Sequence, residues 1–493
     1  MPQCVTSDLS PVPILDAFEN YSGSCFDLDR GIALDGPELR AFRDRLVVGL
    51  KNSGLLAGDR VVFCVGNGPT FLAGLSAVLT AGGSPLLVHP KSPPPELKRT
   101  ALRMGARLLI VDDISSPTWS NECESVSPLS AVGEFELFAA RIAGVQTGFD
   151  AVVPALPGVP LHPTSGTTGL PKTAVRPAKS AEAEARHYIE TIGVTDDDVI
   201  LTVAPMCHAY AYGMSVMVSL FSGAAIVSMR TFQPNFALEA LKSARISIFP
   251  AVPAMLDVLL LEESAGAWNS LRCVLSAGSP LSDRTAKRFC EKTGITVRSL
   301  YGTTETGGIA VAPTGQTLLS GQVGPAMCGV ESQIAIDTDS SGAPPGVGRL
   351  LIRSGSMMAG YLGAEAIDDS LISNGWFDTG DLASIDSAGV IQLMGRESEV
   401  INVEGSKVIP CEVEEVITAF PGVREVKVYA GRRRNGGQFV KAAIVSDGFQ
   451  IDEAALQAHC ERNLVYYKCP ERFIPVESLP RSPAGKILRD QLP

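Results

Sequence analysis

Thr164, Ser165, Gly166, Thr167, Thr168, Gly169, Leu170, Pro171 and Lys172 run consecutively in this chain. Hydroxyl side chains and two glycines lead into a terminal lysine. Glycine lets a backbone run close to a ligand in conformations that other residues avoid. Hydroxyls and free backbone N–H groups cradle phosphate oxygens, and a lysine supplies the compensating charge. The chemistry is that of a loop handling nucleotide phosphates. It is not a Walker A loop, which ends in Gly-Lys-Ser/Thr. Here Pro171 precedes Lys172, and proline has neither the N–H nor the freedom of that glycine. The competing reading is an ordinary Gly/Ser/Thr turn between a strand and a helix.

Five further segments share this character. Tyr301-Gly302-Thr303-Thr304-Glu305-Thr306-Gly307 combines an aromatic face, hydroxyls and one carboxylate in a glycine-bounded turn. The ring can stack on a purine, and a carboxylate beside phosphates can hold Mg²⁺. Gly375 to Asp381 ends in a carboxylate able to accept both hydroxyls of a ribose. Gly395-Arg396 offers a fixed fork of donors. Asn402 to Lys407 is a second glycine-bearing loop around Gly405, and Pro483-Ala484-Gly485-Lys486 carries a lone lysine on a tight turn. Singly, each has a plain alternative: Asp381 as a turn cap, Arg396 as a surface ion pair, Lys486 as a solvated lysine.

These segments need a scaffold. At 493 residues the chain has room for two to four domains. It is 45% hydrophobic and 19% charged, the profile of a globular protein with ample core. A net charge of −12 argues against nucleic-acid binding by a general basic surface, while leaving room for a local patch that holds a phosphate. Eleven cysteines occur without Cys-x-x-Cys pairs or zinc spacing, which predicts free thiols in a reducing compartment. The polar, proline-bearing start lacks signal-peptide character, and no apolar run reaches bilayer length. The expected location is the cytoplasm.

Helical spacing over residues 38–53 and 70–81 alternates with short apolar runs at 61–65, 85–88 and 108–111. Such runs, bounded by turns, read as strands of a sheet covered on both faces. The alternation predicts right-handed βαβ units in a parallel sheet. Runs at 199–203, 224–228, 246–250 and 273–276 repeat it. From about Gly324 the pattern becomes a meander, with strands expected at 330–337, 348–353 and 390–394. Beyond Gly395 an α+β tail follows: a helix over 412–418, paired strands at 426–430 and 441–446, and a helix over 452–463 capped by Asp452. The fold class is therefore α/β: a large N-terminal domain of βαβ sheets with a β-rich subdomain over 1–395, and a small α+β domain over 396–493.

In this order, the segments resemble the AMP-forming acyl-CoA synthetase superfamily, which also holds firefly-type luciferases and nonribosomal-peptide adenylation domains. The resemblance runs from about Leu34 to Leu492 and rests on TSGTTGLPK, YGTTE, GWFDTGD, GRESEVINVEGSKVIPCEVE and PRSPAGKILRDQL. It implies a two-step reaction. A carboxylate attacks the α-phosphate of ATP, giving an acyl-adenylate and pyrophosphate; a thiol, usually that of coenzyme A, then expels AMP. It also implies roles. Thr164, Ser165, Gly166, Thr167, Thr168, Gly169 and Lys172 surround the departing phosphates. Ala277, Gly278, Ser279 and Tyr301, with Gly302 and Thr303 beside it, flank the adenine. Thr304 contacts the α-phosphate, Glu305 holds Mg²⁺, and Asp381 with Arg396 holds the ribose. Lys486 bridges the substrate carboxylate and the α-phosphate, and Gly405 lines the thiol tunnel. The small tail domain is mobile and rotates about a hinge near Arg396. Two residues after that arginine this chain has Ser398, where the family usually has Asp or Lys; the balance of the two half-reactions is thereby put in question.

The resemblance makes Pro205 to Gly213 the acyl-pocket segment. It contains no Asp for a substrate ammonium, so a fatty, short- or medium-chain acyl or aryl acid is expected, with His208 as the local polar group. Coenzyme A is the expected acceptor and an acyl carrier protein the alternative; a nucleotide-binding homologue without catalysis is the third reading. Arg432-Arg433-Arg434 could meet coenzyme A phosphates or be a solvated turn.

Overall fold

The computed structural model describes the chain apart from residues 1–9, 116–118, 133–134, 144, 146–157, 165–171, 244, 262–267, 317, 320, 337–345, 363–366, 404–405, 434–437, 449–450 and 482–486. Two mixed sheets form the body. In the first, Leu161–Pro163, Ser84–Leu87, Arg60–Cys64 and Leu108–Val111 lie parallel in that spatial order. In the second, Val297–Thr303, Cys273–Ser276, Ile248–Ala251, Val199–Thr202, Ala225–Ser228 and Ser24–Asp27 are parallel neighbours. Arg60–Cys64 and Leu108–Val111 are buried along nearly their whole length. Pro69–Thr80 covers one face of the sheet and Pro94–Met104 the other, while Gly36–Asn52, started by an Asp35/Glu38 capping box, packs on Pro69–Thr80.

The expected βαβ units are present, with additions at the edges. The hairpin Ser125–Val132/Phe135–Arg141 extends the first sheet antiparallel to Leu108–Val111. The strand Ser24–Asp27 reaches across the sequence to pair with Ala225–Ser228. Asn67 ties the two sheets together: its buried amide donates to the carbonyls of Ala204 and Met229, each at 3.0 Å, and accepts from Met206 N at 2.7 Å.

The meander is a third, antiparallel sheet in the order Gln322–Pro325, Val390–Arg396, Trp376–Ile385, Gly348–Ser354 and Val330–Ala335. The tail has its own core. Val423–Arg432 pairs antiparallel with Gln438–Ser446, which takes Arg472–Pro475 alongside in parallel. The helices Pro410–Thr418 and Glu453–Asn463 bury Val413, Ile417, Leu456 and Cys460 against this sheet. Asp452 caps the second of them as expected, accepting from Ala455 N at 3.1 Å. The ten cysteines among the described residues are free thiols, and no described helix is long and apolar enough to cross a membrane.

Candidate active site

The loop 164–172 joins two strands, not a strand and a helix. Leu161–Pro163 pairs antiparallel with Thr173–Val175, and Thr164 N donates to Lys172 O at 2.8 Å, closing the base of the hairpin. The helix Ala178–Ile192 begins only after the second strand. The loop therefore differs from a Walker loop in architecture as well as in sequence. Of its candidate residues, Thr164 is buried and Lys172 is exposed; Ser165, Gly166, Thr167, Thr168 and Gly169 lie outside the described residues.

Most other candidates leave the carboxyl ends of neighbouring strands of the second sheet, where open α/β sheets form their binding crevices. Ala277, Gly278 and Ser279 follow Cys273–Ser276, with Gly278 at φ +85°. Tyr301, Gly302 and Thr303 end Val297–Thr303, and His208 follows Val199–Thr202. Gly302 must be glycine: a Cβ there would stand 2.4 Å from Gly307 O, because the two legs of the turn approach each other closely. Within the turn Thr306 N donates to Thr303 Oγ1 at 3.2 Å.

Tyr301, Asp381 and Arg396 converge. The Tyr301 hydroxyl donates to Asp381 Oδ2 in a short bond, and Arg396 Nε lies 2.7 Å from Asp381 Oδ1. Asp381 and Arg396 are cross-strand partners in the third sheet, so backbone register sets their meeting. Arg396 also donates to Thr379 O at 2.8 Å. Burial and the Asp381 charge hold the Tyr301 phenol far above its ordinary range. A carboxylate oxygen can accept more than one hydrogen bond, so these contacts are compatible with Asp381 as the ribose candidate.

Glu305, Lys172 and Tyr361 form the second cluster. Tyr361 donates its hydroxyl to Glu305 Oε1 at 2.6 Å, and Lys172 Nζ sits 4.7 Å from the centre of the Tyr361 ring. Tyr361 brings the metal-ligand candidate and the loop lysine to one aromatic side chain. Sequence reasoning passed it over; an aromatic after Gly360 on a three-residue strand gives only a faint signal. Mg²⁺ takes one or two carboxylates and completes its octahedron with phosphate oxygens and water. A half-buried Glu305 with one oxygen tethered fits that requirement, and no group of three potential metal ligands occurs among the described residues.

His208 lies with its ring centre 5.5 Å from that of His89. Desolvation in its recess, then the neighbouring imidazole, push its pKa down to about 4, although the ring keeps solvent access. It is neutral at physiological pH. The segment continues into a π-helical stretch, Tyr212–Met217, a feature frequent at functional sites. Lys486 and Gly405 lie outside the described residues, and the side chains of Ser406 and Lys407 are likewise undescribed. Of the arginine triplet, Arg433 is engaged in a short ion pair with Glu471.

Residues 24–362 match the sequence model of the AMP-binding enzyme family, and residues 412–486 that of the AMP-binding enzyme C-terminal domain. A fatty acid–acyl-carrier-protein ligase from Streptomyces coeruleorubidus is 29% identical over 481 residues, covering 94% of this chain and 92% of its own. A 2-succinylbenzoate–CoA ligase from Bacillus mycoides is 31% identical over 333 residues, 67% of this chain and 68% of its own. ATP-bound MatB from Rhodopseudomonas palustris superposes with a TM-score of 0.80 at 24% identity, covering 98% of this chain and 97% of its own, which establishes a common fold.

Proposed function

The chain belongs to the AMP-binding enzyme family, the superfamily of AMP-forming acyl-CoA synthetases, and we propose that it joins a carboxylic acid to coenzyme A at the expense of ATP. The observation that carries this reading is the meeting of Asp381 and Arg396, 2.7 Å apart in the third sheet, with Tyr301, whose strand leads into the turn that presents Thr304 and Glu305.

In the first step the acid's carboxylate oxygen attacks the α-phosphorus of ATP and pyrophosphate leaves, giving the acyl-adenylate. Both reactants are anions, so orientation and local positive charge do most of the work. Asp381 and Arg396 hold the ribose, Tyr301 and the Ala277-Gly278-Ser279 turn flank the adenine, and Thr304 meets the α-phosphate. Lys172 and the loop before it hold the departing phosphates. Glu305 is the residue to hold Mg²⁺, which when bound offsets phosphate charge. Lys486 spans the acid and the α-phosphate.

In the second step the thiol sulfur attacks the acyl carbon, AMP leaves, and the thioester forms beside Gly405. The tail beyond the Glu397–Glu399 turn rotates between the steps, while Arg396 stays paired with Asp381 in the body's third sheet. The body–tail ion pair Arg284–Asp447 is compatible with such a turn: it spans 3.6 Å with both side chains largely exposed, a class of contact worth about 0–1 kcal/mol.

The absence of an Asp in the Pro205 to Gly213 segment favours a non-amino acyl or aryl acid. Transfer to an acyl carrier protein is the second reading, favoured by the Streptomyces relative. The test is ATP–pyrophosphate exchange with a panel of acids, followed by addition of coenzyme A or a holo carrier protein to the active pair. Exchange with no acid refutes the reading; thioester formation on one acceptor alone chooses between the two thiols.

A further inference from the structure

Arg176 and Glu184 are the most deeply buried ion pair among the described residues, at 0% and 1% side-chain exposure, with Arg176 Nη2 2.8 Å from Glu184 Oε2. A buried salt bridge is weak evidence for stability, because desolvation offsets its attraction and apolar replacements of equal volume are often as stable. Its surroundings suggest a geometric task. Arg176 Nη1 donates to Thr304 O at 3.4 Å, and Nη2 donates to Ser356 O at 3.1 Å. Glu184 Oε1 accepts from Gly308 N at 3.3 Å. The Thr304–Gly308 turn is thus held near both ends by one ion pair, and Ser356 Oγ donates to Thr306 O at 2.7 Å in its middle.

The same carboxylate touches the acid-pocket helix. A Cβ at Gly213 would lie 2.2 Å from Glu184 Oε1, and one at Gly307 would lie 2.5 Å from it. Arg176 itself stands directly after the strand Thr173–Val175 that leads from Lys172. Three parts of the site therefore meet at the pair: the strand behind the phosphate loop, the turn bearing Thr304 and Glu305, and the helix that follows His208.

We infer that Arg176 and Glu184 are positioning residues that fix the Thr304–Gly308 turn relative to the acid-pocket helix, setting the α-phosphate against the attacking carboxylate. This rests on the adenylating function proposed above. A misplacement near 1 Å costs up to about 10²-fold in rate, so the pair governs turnover more than binding of the nucleoside, whose partners Tyr301, Asp381 and Arg396 lie beyond it.

The test is the double variant Arg176→Met/Glu184→Leu, with Arg176→Lys beside it. The double variant removes both charges and preserves apolar volume; the lysine keeps the charge but loses the planar fork that reaches Thr304 and Ser356. The expected result is a native unfolding temperature, a kcat for pyrophosphate exchange at least about tenfold lower, and adenosine affinity within about twofold of native. A folded double variant with native kcat overturns the inference. If the double variant does not fold, Arg176→Lys is read by the same criteria. If the native protein exchanges with no acid, the functional reading fails and the readout becomes the affinity ratio of ATP over adenosine. That ratio falls about tenfold in the variants under this inference, and an unchanged ratio overturns it.

Discussion

Replacing Asp381 by asparagine keeps the shape of the ribose site and removes its charge. In the structure Asp381 is 9% exposed and sits between Arg396 Nε, at 2.7 Å, and the Tyr301 hydroxyl. A hydrogen bond to a charged partner contributes about 1.5–3 kcal/mol, against about 0.5–1.5 for a neutral one. The difference is about 1 kcal/mol per bond, so two ribose hydroxyls lose about 2 kcal/mol, or roughly 30-fold in affinity. Folding suffers less, because Arg396 is 39% exposed and keeps its bond to Thr379 O. A partly solvated pair contributes at most about 1 kcal/mol, which corresponds to a fall in Tm of no more than about 4 °C. Calorimetric titration with AMP measures the affinity, and thermal unfolding reports the fold. Pyrophosphate exchange carries the same loss into KM for ATP. A folded Asp381→Asn protein that binds AMP within threefold of native would refute the assignment of Asp381 to the ribose.

Three other outcomes follow from the site. Lys486→Ala lowers adenylation by about 10²–10³-fold while sparing thioester formation from supplied acyl-adenylate, read by exchange and by coenzyme A trapping; equal loss of both halves contradicts the role. Tyr361→Phe removes the 2.6 Å bond to the Glu305 carboxylate, worth about 1.5–3 kcal/mol, and raises the Mg²⁺ concentration for half-maximal exchange by about tenfold or more; an unchanged Mg²⁺ titration separates Tyr361 from the metal. His162 is 1% exposed, packs edge-on to Tyr212 at 4.7 Å, and finds no hydrogen-bond partner for either ring nitrogen among the described residues. Burial first, then the Arg176 charge, hold its pKa well below 6.5. The unfolded chain takes up this proton as pH falls through 6.5 and the folded chain does not, so stability declines on acidification. His162→Phe reduces that slope by up to one proton, about 1.4 kcal/mol per pH unit, in denaturant titrations between pH 6.5 and 5; a slope equal to native excludes His162.

The parts of the fold legible in sequence are those whose signal is local. Leu108–Val111 and Cys273–Ser276 have the bounds expected from their apolar runs, because a strand buried on both faces needs no partner to be recognised. The hairpin Ser125–Val132/Phe135–Arg141 escapes a sequence reading because its first strand reads as a loop, with three serines around Pro128; proline is tolerated there because the strand is the sheet's edge. Ser24–Asp27 was missed because its partner lies some 200 residues away, a pairing that no window contains. The loop 164–172 stands out by composition as a phosphate-loop candidate, while its hairpin setting is hidden in strands of three residues. Arg176 and Glu184 did leave a trace. Glu184 falls on the face of Ala178–Ile192 that buries Ala181, Ala185, Tyr188 and Ile192. A carboxylate among those residues calls for a buried cation, and Arg176 is the basic residue just before that helix.

Under the proposed function, the ribose site at Arg396 and the hinge at Ser398 are only two residues apart, and that closeness has a consequence. Arg396 closes the strand Val390–Arg396 and is in register with Asp381, so both belong to the body's third sheet. Ser398 lies immediately beyond, in the single turn Glu397–Glu399, whose Glu399 accepts from Arg396 N at 3.3 Å and pairs with Arg489 of the tail. A rotation at Ser398 turns everything after it, including Lys486, while leaving the Asp381–Arg396 pair where the sheet register puts it. The adenosine half of the adenylate then stays anchored through both half-reactions, and the moving part is the lysine that the first step needs and the second does not.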